Sequence, residues 1–361
     1  MNSFRPIPAD GVAPAGSPQV EKSSSTLAAR RRFAVVAVTV FAVLLAGMLG
    51  LPHRAVAAED DEGGTAALRK KLDQAASGYN NAKAKVAASQ KRQKTLISQI
   101  AETEKKLTKL TGEAQVLGAE AYKGGMPDPL TVLANSSSAS DLIARSSYMD
   151  TIARQTNGTL TDLRTTQQKL KTQRTQVDKE LKLQRSQEKT MAKRRADAEQ
   201  ALVEAGGGDS SAGFLSGTSA AAQPAPRNSD GSWPSESCSI DDPTSEGCLT
   251  PRMLHTYNQA RSDGFTRYTH CFRQASFGEH PKGRACDFAA DSGGFGGTAT
   301  GDSKAYGDRL AAWGVDNADR LGVLYVIWFR QIWLPGSGWK SYSGDGTPSG
   351  DHTNHVHISV Q

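Results

Sequence analysis

The first half of the chain carries apolar side chains three or four residues apart. They are Leu68, Leu72, Ala75, Tyr79, Ala82 and Val86, and later Leu96, Ile100, Leu107, Leu110, Leu117 and Ala121. This spacing places them on one face of an α-helix and is typical of coiled coils. The pattern stops at Gly124, Gly125 and Pro127, because glycine and proline interrupt helices. We therefore predict one long amphipathic helix that ends near residue 123.

A second helical pattern follows a short apolar segment at residues 129–133, which itself suggests a brief helix. It begins near Ser140 or Asp141, either of which can cap a helix. Its seam positions are Leu142, Met149, Thr156, Leu163, Leu170 and Val177. Two long helices with a short connection are expected to fold back on each other. Residues 64–205 are therefore predicted to form a long antiparallel coiled-coil hairpin.

Beyond this hairpin the pattern changes twice. Residues 206–232 are rich in Gly, Ser, Ala and Pro, which predicts a flexible linker. Residues 233–361 contain all five Trp and all four Cys. Apolar β-prone runs such as residues 323–328 alternate there with Gly-rich loops, and residues 253–261 and 304–321 have helical character. We expect a compact α+β domain at the C-terminus.

The N-terminus combines a basic segment with an apolar run. Residues 1–32 are polar and end in three arginines, and residues 33–51 contain no charged side chain. A run of this length matches the thickness of a bilayer core, and basic residues before it mark the cytoplasmic side. Small residues at 55–57 suggest a cleavage site. Residues 33–58 are therefore predicted to be a signal peptide or a membrane anchor, with the rest of the chain secreted or anchored outside the cytoplasm.

Charge and cysteine content narrow the choice of partners and compartment. The formal net charge of +6 suits nucleic acid or an anionic surface. Because the chain is predicted to be exported, its positive charge favours an anionic cell wall as the partner, and no nucleic-acid partner is expected. An even number of cysteines in an exported region suggests disulfides, and Cys238–Cys248 with Cys271–Cys286 is the simplest of the three pairings. A zinc site made of all four is the alternative, although Cys-x-x-Cys spacing is lacking.

The strongest chemical pattern lies in the C-terminal domain. His280 and Asp287 flank Pro281-Lys282-Gly283, a turn that would bring an imidazole and a carboxylate together. His355 and His357 alternate along a predicted strand and therefore share one face. Two histidines and a carboxylate suit zinc with an open fourth position, the arrangement of catalytic zinc sites. These segments therefore predict a divalent-metal site.

The sequence His-x-x-Gly-x-Ala-x-Asp, followed at a distance by His-x-His, resembles the zinc D,D-peptidase superfamily. That group includes VanX- and VanY-type D-Ala-D-Ala peptidases, MepA-type murein endopeptidases and the hedgehog signalling domain. The resemblance covers residues 267–287 and the last dozen residues. It implies that His280, Asp287 and His357 are zinc ligands.

The same resemblance implies roles for the side chains around the metal. A metal-activated water would attack an amide carbonyl. His355 would stabilise the transition state or assist the base, and Arg273 would polarise the substrate carbonyl. The D-Ala-D-Ala peptidases take the proton with a glutamate shortly before the last ligand. Here Asp351 is the nearest carboxylate and the candidate base. The other histidines of the domain, including His352, are expected to be structural or exposed.

The coiled coil has a resemblance of its own. Residues 122–125, 142–145 and 148–152 are similar to the coiled-coil part of secreted murein hydrolases of the PcsB and RipA kind, which couple to a membrane complex of FtsE and FtsX. Together the resemblances imply an exported zinc peptidase that acts on peptidoglycan and is tethered or regulated by its coiled coil. The alternatives are a non-catalytic zinc-containing wall-binding module and a coiled-coil adaptor that activates another murein hydrolase.

Overall fold

The computed structural model describes residues 64–124, 129–214 and 219–361. The predicted cytoplasmic segment at 1–32 and the membrane segment at 33–58 lie outside these residues. Within the described part, no helix has the length and apolar character needed to cross a membrane. A long helical region precedes an α+β domain, which confirms the predicted fold class at this level.

The helical region consists of two long helices and a short one between them. Helix α1 spans Ala66–Gly124, α2 spans Pro129–Ala134 and α3 spans Ala139–Glu204. The hydroxyl of Ser138 accepts a hydrogen bond from the backbone N–H of Asp141 and so caps α3. The cap is therefore Ser138, and the prediction of Ser140 or Asp141 in that role was wrong by two or three positions.

Contacts between the long helices show that they run antiparallel. Near the start of α1, the Lys71 ammonium lies 2.7 Å from the Glu204 carboxylate at the end of α3. Further along, the Ser89 hydroxyl donates to the Glu180 carboxylate at 2.6 Å. Leu170 is one of the few apolar residues of α3 that are buried. A narrow apolar seam with polar bridges beside it therefore holds the two helices together.

The C-terminal domain is built around one antiparallel sheet. The strands of the domain are β1 (Ile240–Asp241), β2 (Cys248–Leu249), β3 (Thr269–His270), β4 (Ala285–Ala289), β5 (Val323–Trp328), β6 (Gln331–Leu334), β7 (Gly338–Ser341) and β8 (His355–Val360). Its α-helices are α4 (Pro251–Ser262), α5 (Gly301–Asp316) and α6 (Ala318–Leu321). The six-stranded sheet has the order β3-β4-β8-β5-β6-β7, while β1 and β2 pair separately. Strands β4, β8 and β5 therefore lie side by side at its centre.

The two faces of this sheet bury different partners, because successive side chains of a strand point to opposite faces. One face meets the domain's own helices through Phe288, Val356, Ile358, Leu310 and Trp313. The other face meets the first turns of α1 and the last turn of α3 through Tyr325, Ile327, Ile332, Leu68, Leu72 and Leu202. The base of the helical hairpin is therefore packed into the domain.

Residues 206–232, for which a flexible linker was predicted, contact the domain in their described parts. The backbone N–H of Gly208 donates to the Ser341 carbonyl at 3.1 Å. The backbone N–H of Ala222 donates to the Asn317 side chain at 2.8 Å. The ring of Phe214 packs against Trp339 and Trp328. In this structure the segment lies along the domain surface.

The four cysteines form the disulfides Cys238–Cys248 and Cys271–Cys286, which confirms the simplest predicted pairing. None of the described cysteines is free. The alternative of a four-cysteine zinc site was wrong, because no thiolate remains to bind a metal. Disulfides persist in oxidising compartments, so they suggest that this domain works outside the cytoplasm.

Candidate metal site

The candidate site lies on the sheet face that meets the helical hairpin. Asp287 of β4 pairs directly with His357 of β8, so their side chains extend to the same side. His280 begins the 3-10 turn His280–Lys282, which leads into β4. Gly283 ends this turn with a φ of +66°, a conformation that favours glycine. A Cβ there would also collide with the sulfur of Cys238. Glycine at this position therefore lets the chain turn back towards Asp287.

Three potential ligand atoms converge at this point. His280 Nε2 lies 3.2 Å from His357 Nδ1 and 3.2 Å from Asp287 Oδ2. Asp287 Oδ1 lies 2.8 Å from His357 Nδ1. Ligands about 2.0–2.1 Å from a tetrahedral ion are roughly 3.3 Å apart. The ligand triad, as we name His280, Asp287 and His357, could therefore hold a metal ion.

Hydrogen bonds behind the two imidazoles support their ring orientations. His280 Nδ1 contacts the backbone carbonyl of Cys271. A carbonyl only accepts, so Nδ1 carries the proton and Nε2 keeps its lone pair. His357 Nε2 lies 2.6 Å from the Ser359 hydroxyl. With a metal ion at the triad, Nε2 would donate to that oxygen and Nδ1 would offer its lone pair to the ion. Metal-binding histidines are commonly supported in this way.

The carboxyl group of Asp287 lies among polar and basic side chains. Burial alone would raise the pKa of this carboxyl, but its interactions with His280, His355 and Arg273 hold that pKa well below its usual range. The guanidinium of Arg273 forms an ion pair with Oδ2. His355 Nε2 lies 3.5 Å from Oδ1. Arg273 and His355 thus lie beside the ligand triad.

Asp351, the predicted base, is engaged elsewhere. Its carboxylate accepts a hydrogen bond from Arg330 Nε at 2.7 Å and another from the Gly344 backbone N–H at 2.9 Å. A further backbone N–H, that of Gly346, donates to it at 3.3 Å. Both carboxylate oxygens therefore stabilise the loop before β8. None of the hydrogen bonds or ion pairs that Asp351 makes in the described structure reaches the ligand triad.

The structure brings His352 to the site, although sequence analysis assigned it no role there. Its ring centroid lies 4.7 Å from that of His355 and 5.7 Å from that of His357. Burial, and then the charges of His355 and His357, hold the pKa of His352 well below its usual range. Its φ of +53° is left-handed, which is uncommon for a residue with a Cβ. No spacing rule shows such a backbone reversal, so the sequence contained no signal for it.

The base of the hairpin covers the site. The ring of Tyr325 is stacked on that of His357, with 5.6 Å between centroids and 8° between planes. The guanidinium of Arg69 in α1 lies over the Tyr325 ring, 5.5 Å from its centroid. One turn further along α1, Asp73 forms an ion pair with Arg284 at 3.3 Å. The ligand triad itself is fully buried.

Comparison with known proteins supports a relationship for part of the domain. A family model described as VldE, C-terminal domain, matches residues 245–353. The match covers less than a third of the 361-residue chain, contains His280 and Asp287, and ends before His355 and His357. No curated protein and no solved structure matches the chain. The C-terminal domain is thus similar to this family over most of its length.

Proposed function

We propose that the chain is an exported zinc-dependent peptidase that hydrolyses amide bonds in peptidoglycan stem peptides or crosslinks. The observation that supports this most is the ligand triad, in which Cys271 and Ser359 contact the outer ring nitrogens of the two histidines and the inner ring nitrogens face Asp287. Two histidines and one carboxylate suit zinc with a fourth position left for water or substrate. Zinc bound there would supply a Lewis acid for a carbonyl oxygen and lower the pKa of water to about 7.

The chain's own side chains would orient the substrate around this position. Arg273 is the cationic group beside Asp287, and 17% of its side chain is exposed, so it can turn towards a substrate carbonyl oxygen. His355 Nδ1 lies 2.7 Å from the side-chain oxygen of Asn354 and donates to it. This hydrogen bond orients the ring so that Nε2 is directed towards the Asp287 carboxylate. Both groups are suited to stabilise charge on the reacting amide.

In this proposal the coiled coil regulates the access of substrate to the ligand triad. A wall peptide has to reach the sheet face on which Arg69 and Leu72 now lie, so the hairpin base must move before substrate can bind. The distal half of the hairpin extends away from these contacts and offers a surface to a partner. We propose an FtsE/FtsX-like membrane complex as that partner. The net charge of +6 suits an anionic wall.

A non-catalytic role is the second candidate. The engagement of Asp351 with Arg330 favours it, because the predicted base is then held by its own loop and not by the ligand triad. In that case the domain would be a zinc-containing wall-binding module, or the chain would be an adaptor that activates another murein hydrolase. Both candidates share the metal site and differ in whether an amide bond is cleaved.

The two candidates can be separated by muropeptide analysis. Zinc-loaded full-length chain and its Leu72→Asp variant, which loosens the hairpin base, are each incubated with crosslinked peptidoglycan. A peptidase releases new stem-peptide fragments, more from the variant than from the wild type, and none after His357→Ala. Unchanged muropeptides from both zinc-loaded proteins, together with retained sedimentation with the wall, would contradict the peptidase and favour the binding module.

A further inference from the structure

Two aromatic side chains lie near the ligand triad at the β3 edge of the sheet. Tyr268 immediately precedes β3, and 52% of its surface is exposed. Phe295 is partly exposed and belongs to the glycine-rich loop between β4 and α5. Neither ring is part of the hydrophobic cores described for the domain. The fold therefore leaves this pair of rings available to a ligand.

The sheet register explains how the two rings meet. Side chains that lie opposite one another on neighbouring strands project to the same face. The Ala289 N–H donates to the Tyr268 carbonyl, and Ala289 lies opposite His355 of β8. Phe295 contacts both outer side chains, because its ring centroid lies 5.2 Å from that of Tyr268 and 5.4 Å from that of His355. The aromatic pair, as we name Tyr268 and Phe295, thus connects solvent with an imidazole that lies 3.5 Å from Asp287.

The loop that carries Phe295 is anchored on its inner side and open on its outer side. The side-chain N–H of Asn354 donates to the Gly296 carbonyl at 2.9 Å. The side-chain oxygen of Asn354 lies 2.7 Å from His355 Nδ1, so one residue joins the loop to the imidazole. A Cβ added at Gly296 or Gly297 would meet no described atom within 4 Å. The aromatic pair is therefore both preformed and accessible.

The aromatic pair lies away from the base of the hairpin. The hairpin packs on β5 and β6 through residues such as Tyr325 and Ile332, whereas β3 is at the sheet edge opposite β7. The ion pair with α1 involves Arg284, which precedes β4, while Ala289 is at the other end of that strand. Tyr268 keeps its exposure with the hairpin in place. A ligand can therefore reach the aromatic pair before the hairpin base moves.

The surroundings of the aromatic pair suit a neutral ligand with hydroxyl groups. Asp291 and Ser292, at the start of the same loop, are exposed. Hydrogen bonds from the Gly293 N–H and the Ser303 hydroxyl lower the pKa of the Asp291 carboxyl, and the charge of Arg267 lowers it further. With an anion and a cation so close together, neither an anionic nor a cationic ligand is favoured. A sugar ring presents a flat face of C–H groups to the weakly negative face of an aromatic ring, and its hydroxyls can bond to a carboxylate.

We propose that Tyr268 and Phe295 form a saccharide subsite that binds an N-acetylhexosamine ring of the wall glycan beside the ligand triad. The inference rests on the proposed function for the choice of the wall glycan as ligand. A stem peptide attached to the bound sugar would lie next to the ligand triad. The subsite would thus favour peptides that are still linked to the glycan over free peptides.

Calorimetric titration of the metal-free full-length chain with a soluble N-acetylglucosamine oligosaccharide tests the subsite. Tyr268→Ala and Phe295→Ala should each raise the Kd for this probe roughly 5- to 10-fold, because each removes one aromatic contact. Tyr268→Trp keeps an aromatic face and should bind within about twofold of the wild type. Tyr148→Ala is the matched control, since Tyr148 is also exposed but lies on α3. The control should bind as the wild type does.

Three results would overturn the inference. The first is a wild type that binds no oligosaccharide at millimolar concentration. The second is equal affinity in the wild type and in Tyr268→Ala, whose exposed side chain is not needed for folding. The third is tighter binding of lysine amide than of the oligosaccharide, which would assign the aromatic pair to a cation.

The inference and the proposed peptidase can fail separately. Oligosaccharide binding that depends on Tyr268, in a zinc-loaded chain that leaves muropeptides unchanged, would support the saccharide subsite and refute only the peptidase. Release of stem-peptide fragments by a chain that binds no oligosaccharide would refute only the subsite.

Discussion

Replacing Ser359 with alanine tests how the fold prepares His357 to bind a metal. Ser359 is fully buried in β8, and its hydroxyl lies 2.6 Å from His357 Nε2. Alanine removes this acceptor and leaves the strand backbone, which pairs with Ala285 and Tyr325, unchanged. The ring then lacks the serine oxygen that faces Nε2 in the wild type. A larger fraction of His357 carries its proton on Nδ1, where it blocks the metal.

The expected loss can be worked out from this single contact. Removing the hydrogen-bond partner behind a metal-binding histidine weakens metal affinity by about 10- to 100-fold. That factor corresponds to roughly 1.4–2.7 kcal/mol of binding free energy. We expect the upper half of this range for Ser359→Ala, because the Nε2–H stays buried and an unsatisfied buried donor is costly.

Competition with a chromogenic zinc chelator measures this affinity. Ser341→Ala is the matched control. Ser341 lies in β7, at the sheet edge away from the ligand triad, and its hydroxyl accepts a hydrogen bond from the backbone N–H of Asp209. The control should bind zinc as the wild type does. A Ser359→Ala protein with wild-type melting temperature and a zinc Kd within twofold of wild type would refute the tautomer argument.

Four further predictions follow from other contacts. Loss of the Cys271–Cys286 disulfide, whose cysteines are 15 residues apart, should lower the free energy of unfolding by about 3 kcal/mol in chemical denaturation, and an unchanged midpoint would contradict it. Gly283→Ala should cost at least about 1–3 kcal/mol in thermal denaturation, because the left-handed turn and the nearby disulfide leave no room for a Cβ. Arg69→Ala should speed zinc removal by a chelator several-fold relative to the control Lys71→Ala, and equal rates would show that Arg69 does not restrict access. The hydrogen bond from Arg92 lowers the pKa of Glu180 below 4.5, so its stabilisation is complete above that pH and is lost as the pH falls through the lowered pKa. Glu180→Gln should therefore lower hairpin stability by roughly 0.5 kcal/mol at pH 7, and its melting curve should approach that of the wild type in acid.

The hydrophobic pattern was sufficient to locate the hairpin, because helix periodicity depends on neighbours three or four residues away. The same pattern could not show what Leu68 and Leu72 pack against. Their partners include Tyr325, Ile327 and Ile332, more than 250 positions along the chain. The packing of the hairpin base on the sheet face that carries the ligand triad is therefore a tertiary feature that only the structure reveals.

Some residues of the candidate site could likewise be predicted from local sequence, and others could not. The turn at Gly283 and the alternation of His355 and His357 are local, so the ligand triad could be predicted from spacing. The environment of Asp351 depends on Arg330, a partner in another part of the fold. The position of His352 depends on a backbone reversal that apolar and polar patterns do not encode. Local rules thus brought the three candidate ligands together, but they could not show the partners of Asp351 or the position of His352.

X-ray absorption at the zinc edge tests the central claim most directly. The full-length chain, loaded with one equivalent of zinc and freed of excess by dialysis, should retain one ion. Its ligand shell should consist of nitrogen and oxygen at about 2.0–2.1 Å, with outer scattering from two imidazoles. His357→Ala should lose the ion under the same dialysis. A wild-type chain that retains no zinc, or a shell with sulfur at about 2.3 Å, would contradict the ligand triad as the metal site.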